Sequence, residues 1–214
     1  MNGWRARRCP VSPPWVSRVG PRVYLAGPDV FLAEPQAWAE RKKSVCARFG
    51  LTGVSPFDTL AHEPADWAAL PEWRRIAARN EAHIRGCAGV IANLTPFRGP
   101  SADVGTVYEV GFARALGLPI FAYATTEISF TDRTIFGADF TQAADGQWFD
   151  RHGLVVEQFG LFDNLMIEGG IAGSGGGLVL QTCGDTWRDL TPFERCVALA
   201  AGRLAGERTG RPDR

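Results

Sequence analysis

Glu109 is the side chain of this sequence whose type and position most strongly indicate chemistry, because carboxylates serve enzymes as nucleophiles or proton-transfer groups. It lies among apolar neighbours, Val107, Tyr108 and Val110, in a stretch that predicts a helix. The residues three and four positions away carry no positive charge: Gly105, Thr106, Phe112 and Ala113. No ion pair along the helix therefore balances the carboxylate. Glu109 is either exposed to solvent, as most helical glutamates are, or has a role in binding or catalysis.

Asp103 stands where the same helix is predicted to begin, and it admits two roles. As an ordinary helix cap, its side chain accepts a hydrogen bond from the Thr106 amide. Gly105 and Gly111 remove side-chain bulk on either side of Glu109, which weakens the helix but lets a ligand or another backbone approach. Asp103 therefore qualifies both as a cap and as a second functional carboxylate.

Apolar runs alternate with helical patterns from residue 22 onwards. The predicted strands are 23–26, 51–55, 89–94 and 119–123, and the predicted helices are 35–49, 71–86, 105–116 and 192–204. The short loops between them predict parallel strands with right-handed crossovers, and therefore a three-layer α/β fold of the flavodoxin or Rossmann kind with helices on both faces. We expect residues 21–207 to form one domain and residues 1–20, rich in proline and arginine, to be a disordered tail.

Two stretches lack a clear period. Residues 125–153 contain Asp, Gly and Gln without alternation, and we expect a long loop there. Residues 169–177 are rich in glycine and are expected to form a flexible turn. This run is not a phosphate-binding loop, because no Lys-Ser/Thr pair follows it.

The predicted topology collects a group of residues at one edge of the sheet. Ligands of open parallel sheets bind beyond the carboxyl ends of the strands, so we expect the residues that follow those ends to share one neighbourhood. They are Tyr24, Gly27, Asp58, Asn93, Asp103 and Glu109.

Composition excludes several kinds of partner. The 214 residues carry a formal net charge of zero, with no dense basic run outside the two ends, so nucleic acid is not an expected partner. No segment approaches the roughly 20 apolar residues that a membrane helix needs, so no membrane partner is expected either. The five cysteines are widely spaced without a Cys-x-x-Cys pair, and only three histidines accompany them. They predict reduced thiols in a cytoplasmic protein and no metal site.

Three separated parts of the sequence resemble the nucleoside 2-deoxyribosyltransferase family. They are residues 23–31, residues 80–84 with 93–99 and 103–111, and residues 156–160 with 164–166. The resemblance implies an enzyme that uses no cofactor, cleaves the N-glycosidic bond of a 2′-deoxynucleoside, holds the deoxyribosyl group on a glutamate and passes it to another free nucleobase. The expected partners are therefore a deoxynucleoside and a free nucleobase.

The resemblance also implies roles for three residues. Glu109 matches the family's nucleophile, Tyr24 the tyrosine that orients this glutamate, and Asp103 the acid that holds a sugar hydroxyl. The chemistry is consistent, because a carboxylate can capture an oxocarbenium-like C1′ and divide one displacement into two. For Tyr24, a plain role as a core aromatic of the first strand stays open.

Asn164 and Met166 resemble residues that a neighbouring subunit lends to the active site in this family. The resemblance therefore implies a homo-oligomer with shared sites, whereas packing near a turn is the ordinary alternative for both residues. The remaining candidates for substrate binding are Gly27, Asp29, Asp58, Asn80 and Asn93.

Asn80 and Asn93 depart from the family, whose members carry a carboxylate at one or other of these positions. An amide hydrogen-bonds a base edge but cannot protonate a leaving base. Water, Asp58 or Asp29 are the other routes for the proton. Two alternative functions therefore stay open: an N-glycoside hydrolase of deoxynucleosides or their 5′-monophosphates, and an inactive nucleotide-sensing module.

Overall fold

The computed structural model describes residues 20–137 and 139–209. Within them the strands are β1 (Arg22–Ala26), β2 (Thr52–Val54), β3 (Gly89–Asn93), β4 (Ile120–Ala124), β5 (Phe140–Gln142), β6 (Trp148–Asp150) and β7 (Gly177–Leu180). Five of them form a parallel sheet in the order β2-β1-β3-β4-β7, and β5 pairs with β6 as an antiparallel hairpin. Apart from Gly20, the tail predicted for residues 1–20 lies outside the described residues.

Helices cover both faces of the parallel sheet. They are α1 (Pro35–Arg48), α2 (Glu72–Arg85), α3 (Val104–Ala115), α4 (Phe130–Ile135), α5 (Leu165–Gly173) and α6 (Thr191–Thr209). Helices α1 and α6 pack on one face, whereas α2, α3 and α5 pack on the other. The predicted three-layer α/β fold is confirmed. No helix in the described part of the chain is long and apolar enough to cross a membrane.

The central strands are apolar throughout because both of their faces are covered. In β3, Val90 and Ala92 enter the core beneath α2, α3 and α5, and Ile91 enters the core beneath α1 and α6. Continuous apolar runs are typical of strands buried in this way. The predicted strands and helices lie within two residues of those observed, apart from α6, which begins one residue earlier and ends five residues later.

The long loop predicted for residues 125–153 is wrong in part, because this stretch contains α4 and the β5–β6 hairpin. Ser129 caps α4 by accepting a hydrogen bond from the Asp132 amide. These elements are three to six residues long. Elements this short contain too few residues for a hydrophobic periodicity to be recognised in the sequence.

The flexible turn predicted for residues 169–177 is also wrong in part. Helix α5 continues to Gly173, because Ile167 and Ile171 are buried against the sheet and this packing outweighs the low helix propensity of glycine. The fifth strand of the parallel sheet, β7, then begins at Gly177. A Cβ on Gly176 would lie 1.7 Å from the Ile120 carbonyl oxygen, so this glycine permits a close backbone approach between β7 and β4.

Candidate active site

Three residues that are distant in sequence meet around one carboxylate oxygen. The Tyr24 hydroxyl, on the buried strand β1, donates a hydrogen bond to Oε1 of Glu109 at 2.6 Å. Asn80 Nδ2, on α2, donates to the same oxygen at 3.3 Å. Oε2 of Glu109 accepts no hydrogen bond from the described residues. Glu109 is therefore held by two donors through one oxygen while the other stays available.

Burial controls the protonation of this pair. It raises the pKa of Glu109 to about 7, and the hydrogen bond from Tyr24 opposes that shift while the charge of Asp103 adds to it. Burial and the neighbouring Glu109 carboxylate raise the pKa of Tyr24 well above its ordinary value. Tyr24 therefore remains a hydrogen-bond donor, whereas Glu109 changes its charge near neutral pH.

The raised pKa of Glu109 predicts opposite effects of pH on turnover and on the stability of the fold. Only the ionised carboxylate can act as a nucleophile, so turnover should rise as the pH increases through about 7. Stability should change the other way, because a group with a raised pKa contributes stability that is fully present below its ordinary pKa, 4.5, and is lost as the pH rises through about 7.

Thermal unfolding at pH 5 and pH 8 checks the second half of this prediction. The shift corresponds to about 3 kcal/mol, and the unfolding temperature of the wild type should fall by more than that of Glu109→Gln, which has no titrating group at this position. Equal pH dependence of the two proteins would contradict the assignment.

Asp103 takes the capping role that its position predicts. Its Oδ2 accepts hydrogen bonds from the Thr106 amide at 2.9 Å and from the Thr106 hydroxyl at 3.0 Å. Within residues 20–137 and 139–209, no donor bonds to its Oδ1. The predicted cap is confirmed, and one oxygen remains for a ligand, so the functional role stays a prediction.

Gly27, Asp29 and Asn93 form a second group at the carboxyl ends of β1 and β3. Asp29 lies in a single helical turn after β1 and accepts hydrogen bonds from Lys42 Nζ at 2.8 Å and from Asn93 Nδ2 at 3.2 Å. A Cβ on Gly27 would lie 2.6 Å from Asp29 Oδ2 and 2.8 Å from Asn93 Cβ. Gly27 therefore allows this contact because it has no side chain.

Asp58 is engaged by its own surroundings. One carboxylate oxygen pairs with Lys43, and the other accepts from the Ser55 amide at 3.1 Å. Its carbonyl oxygen lies 3.0 Å from Nε2 of the buried His83, whose ring stacks on Tyr24. Asp58 thus fixes the loop after β2 against α2, and it has no contact with Glu109 among the described hydrogen bonds.

Asn164 and Met166 lie at the start of α5. Asn164 caps this helix by accepting from the Met166 amide at 3.0 Å, and its Nδ2 donates to Glu157 at 2.6 Å. The Met166 side chain is 75% exposed. Neither residue is hydrogen-bonded to Glu109 in the described part of its own chain, and their role in a neighbouring subunit stays a prediction.

Asp163 and Arg133 position the site but were not identified from the sequence. Asp163 is 1% exposed and accepts hydrogen bonds from the Ser101 hydroxyl at 2.5 Å and the Ala102 amide at 2.9 Å. Arg133 donates to the carbonyl oxygen of Pro100 at 2.7 Å. They tie the loop before Asp103 to the turn before α5, and no local sequence pattern reveals such contacts between loops.

No cluster of three or more histidine, cysteine, aspartate or glutamate side chains in the described residues is placed to hold a metal ion. The arrangement instead combines one half-available carboxylate, a tyrosine donor and amide side chains. These groups can attack an electrophilic carbon and hydrogen-bond a polar ring.

Comparison with known proteins gives consistent matches. The model of a family described as nucleoside 2-deoxyribosyltransferase matches residues 23–166. A Schizosaccharomyces pombe protein named "Uncharacterized protein C191.05c" is 30% identical over 167 residues, which are 73% of this chain and 79% of that protein. The structure of a 2-desoxiribosyltransferase from Leishmania mexicana is 30% identical, covers 69% of this chain and 85% of its own, and has a TM-score of 0.51.

These matches support an enzyme of the deoxyribosyltransferase kind, with deoxynucleosides and nucleobases as the ligands that the family implies. The matched region contains β1 to β4, Tyr24, Glu109 and both asparagines, Asn80 and Asn93. Since the family model covers more than half of the chain, the protein belongs to the nucleoside 2-deoxyribosyltransferase family.

Proposed function

We propose that this protein transfers the 2-deoxyribosyl group of a deoxynucleoside to another free nucleobase through a covalent intermediate on Glu109. One observation carries the proposal. The Tyr24 hydroxyl lies 2.6 Å from Oε1 of Glu109 and leaves Oε2 available for attack. A nucleophile that is oriented by a second side chain in this way is the arrangement that covalent catalysis requires.

The first step replaces the base by the enzyme. An oxygen of ionised Glu109 attacks C1′, the C1′–N bond breaks, and its electron pair leaves with the base, which takes up one proton. Neither Asn80 nor Asn93 can supply this proton, because an amide is not an acid at neutral pH. The carboxylates of Asp29 and Asp58 form ion pairs with Lys42 and Lys43, respectively. Water is therefore the proton source in this proposal.

The second step reverses the first with a different base. A ring nitrogen of the incoming base attacks C1′, the bond between C1′ and Glu109 breaks, and the incoming nitrogen releases its proton to solvent. Oδ1 of Asn80 supports a ligand at this place, because it is buried without a hydrogen-bond partner among the described residues. A buried acceptor beside the nucleophile can take a hydrogen bond from the sugar or the base.

A chromatographic assay tests the proposed function directly. The protein is incubated with deoxyadenosine, with and without cytosine, and free adenine and deoxycytidine are followed over time. Transfer predicts deoxycytidine only in the presence of cytosine. Adenine release at an unchanged rate without new nucleoside would identify a hydrolase, and no release of adenine from either deoxyadenosine or its 5′-monophosphate would favour a module that does not catalyse.

Shared sites in a cytoplasmic homo-oligomer form a further part of this proposal. Apolar side chains that are exposed on one chain surround the start of α5, including Phe159, Leu165 and Met166. If a neighbouring subunit uses this surface, Asn164 and Met166 act in its active site. The proposal is supported by the exposure of Met166 and by the match in residues 164–166.

Mixing two inactive variants tests the shared-site model. Glu109→Gln protein and Asn164→Ala protein are combined under conditions that exchange subunits, and some hybrid sites should then hold both intact residues. We expect more activity than the sum of the two parents. Because Asn164 also caps α5, the experiment is repeated with Met166→Ala, whose exposed side chain has no capping role. Summed parental activity despite proven exchange, or a fully active monomer, would refute shared sites.

A further inference from the structure

Lys42 is a buried lysine whose presence the fold alone does not explain. It is 2% exposed on α1, and its ammonium lies 2.8 Å from Asp29 Oδ2 and 4.7 Å from the centre of the Phe193 ring. Removing two charges from water costs about as much as their attraction returns, so a buried ion pair is often no more stabilising than an apolar pair. Stability alone therefore does not explain this pair, whereas a role in positioning a neighbouring side chain does.

The other oxygen of Asp29 points to that role. Oδ1 accepts from Trp38 Nε1 and from Asn93 Nδ2, each at 3.2 Å. The second half of the Asn93 amide is also fixed, because its Oδ1 accepts from the Thr95 amide at 3.0 Å. An ionised carboxylate only accepts and a backbone amide only donates, so these two partners permit a single orientation of the Asn93 side chain.

Asn93 is the last residue of β3, and ligands of this fold class bind beyond the carboxyl ends of the strands. With Oδ1 directed to Thr95 and one N–H directed to Asp29, the amide retains a second N–H. An amide turned by 180° would present an acceptor to Asp29, and two acceptors cannot bond. The orientation thus decides whether this end of the strand offers a ligand a donor or an acceptor.

We propose that Lys42 is a positioning residue that, through the carboxylate of Asp29, orients the Asn93 amide so that its remaining N–H binds an acceptor nitrogen or oxygen on the nucleobase. The inference rests on the proposed function, since it concerns the base of that reaction. Lys42 itself does not touch the substrate. Its ammonium neutralises Asp29, and Asp29 holds the amide.

Two variants and a control separate positioning from plain stability. Lys42→Met leaves Asp29 buried without its cation, whereas Lys42→Met with Asp29→Asn removes both charges together. Arg48→Met, a change in a surface ion pair at the end of the same helix, is the matched control. For each protein we measure the unfolding temperature, kcat and KM for deoxyadenosine cleavage, and the affinity for free adenine by calorimetry.

The expected results differ between stability and binding. Lys42→Met should lower the unfolding temperature and weaken adenine binding about tenfold, the effect of one lost positioned hydrogen bond. The double variant should regain the unfolding temperature, because a neutral pair carries no unpaired charge, but its KM and adenine affinity should stay impaired. The control should match the wild type in all measurements.

Three results would overturn the inference. They are recovery of adenine affinity together with stability in the double variant, wild-type affinity in Lys42→Met, and a double variant that does not fold. In each case the ion pair would serve the fold rather than the base. A wild-type protein that neither exchanges nor hydrolyses deoxyadenosine would contradict the proposed function instead, and the calorimetric comparison would still test the amide.

Discussion

Glu109→Gln is expected to abolish deoxyribosyl transfer while leaving the fold unchanged. Glutamine has the same shape as glutamate, and its Oε1 can still accept the hydrogen bonds that Tyr24 and Asn80 donate to Glu109. An amide oxygen, however, is a far weaker nucleophile than a carboxylate. Loss of a covalent nucleophile typically lowers turnover by about 10⁴-fold or more, and the measurement is the initial rate of base release together with the unfolding temperature.

Glu81→Gln is the matched control for this change. Glu81 lies on α2 and accepts a hydrogen bond from the exposed Tyr108 hydroxyl at 2.5 Å. It differs from Glu109 in that it has no contact with Tyr24 among the described hydrogen bonds, so its variant should keep the wild-type rate. Mass spectrometry of quenched wild-type enzyme should also locate a deoxyribosyl adduct on the peptide that contains Glu109. A near-normal rate in Glu109→Gln would refute the covalent mechanism.

The sequence predicts the central sheet well because burial on both faces leaves a direct trace in it. Strands β3 and β4 are fully buried, and their continuous apolar residues are visible without any structure. The cap at Asp103 is equally local, since donor and acceptor are three residues apart. Features that depend on neighbours in sequence, or on burial of a whole element, are therefore accessible from the sequence.

Contacts between distant loops are not accessible in the same way. Asp163 holds Ser101 across 62 positions, and Lys42 on α1 holds Asp29 across 13 positions. Neither residue differs in type from many surface residues. The Tyr24–Glu109 contact spans 85 positions, and family resemblance rather than spacing indicated it. Long-range polar contacts must therefore be read from the structure.

The β7 strand shows how glycine can hide an element. Gly175, Gly176 and Gly177 look like a flexible linker, yet Gly176 lies directly against the backbone of Ile120, where any side chain would collide. The glycines here serve close packing rather than mobility. Composition alone does not distinguish these two uses of the residue.

Asn80→Asp is expected to raise the rate of base cleavage, and the structure explains why this position differs from Asn93. Asn80 Nδ2 lies 3.3 Å from Glu109, so an aspartate here would form a carboxyl pair with the nucleophile. Two carboxyl groups this close cannot both be ionised near neutral pH, and they therefore share one proton. The Tyr24 hydrogen bond favours ionised Glu109 and leaves the proton on the new aspartate.

The proton held by that aspartate would supply the general acid that two amides cannot provide. General acids contribute typically 10²- to 10⁴-fold, so we expect cleavage at least tenfold faster than in the wild type near pH 7, with a larger gain for poorer leaving bases. At lower pH Glu109 is protonated and cannot attack, and at higher pH the aspartate loses its proton, so the rate should follow a bell-shaped pH profile. Asn93→Asp serves as the comparison, because the Asn93 amide lies 3.2 Å from Asp29 and is not hydrogen-bonded to the nucleophile in the described residues. Unchanged or lower rates in both variants would mean that water already delivers the proton efficiently, and that the two amides serve to bind the base.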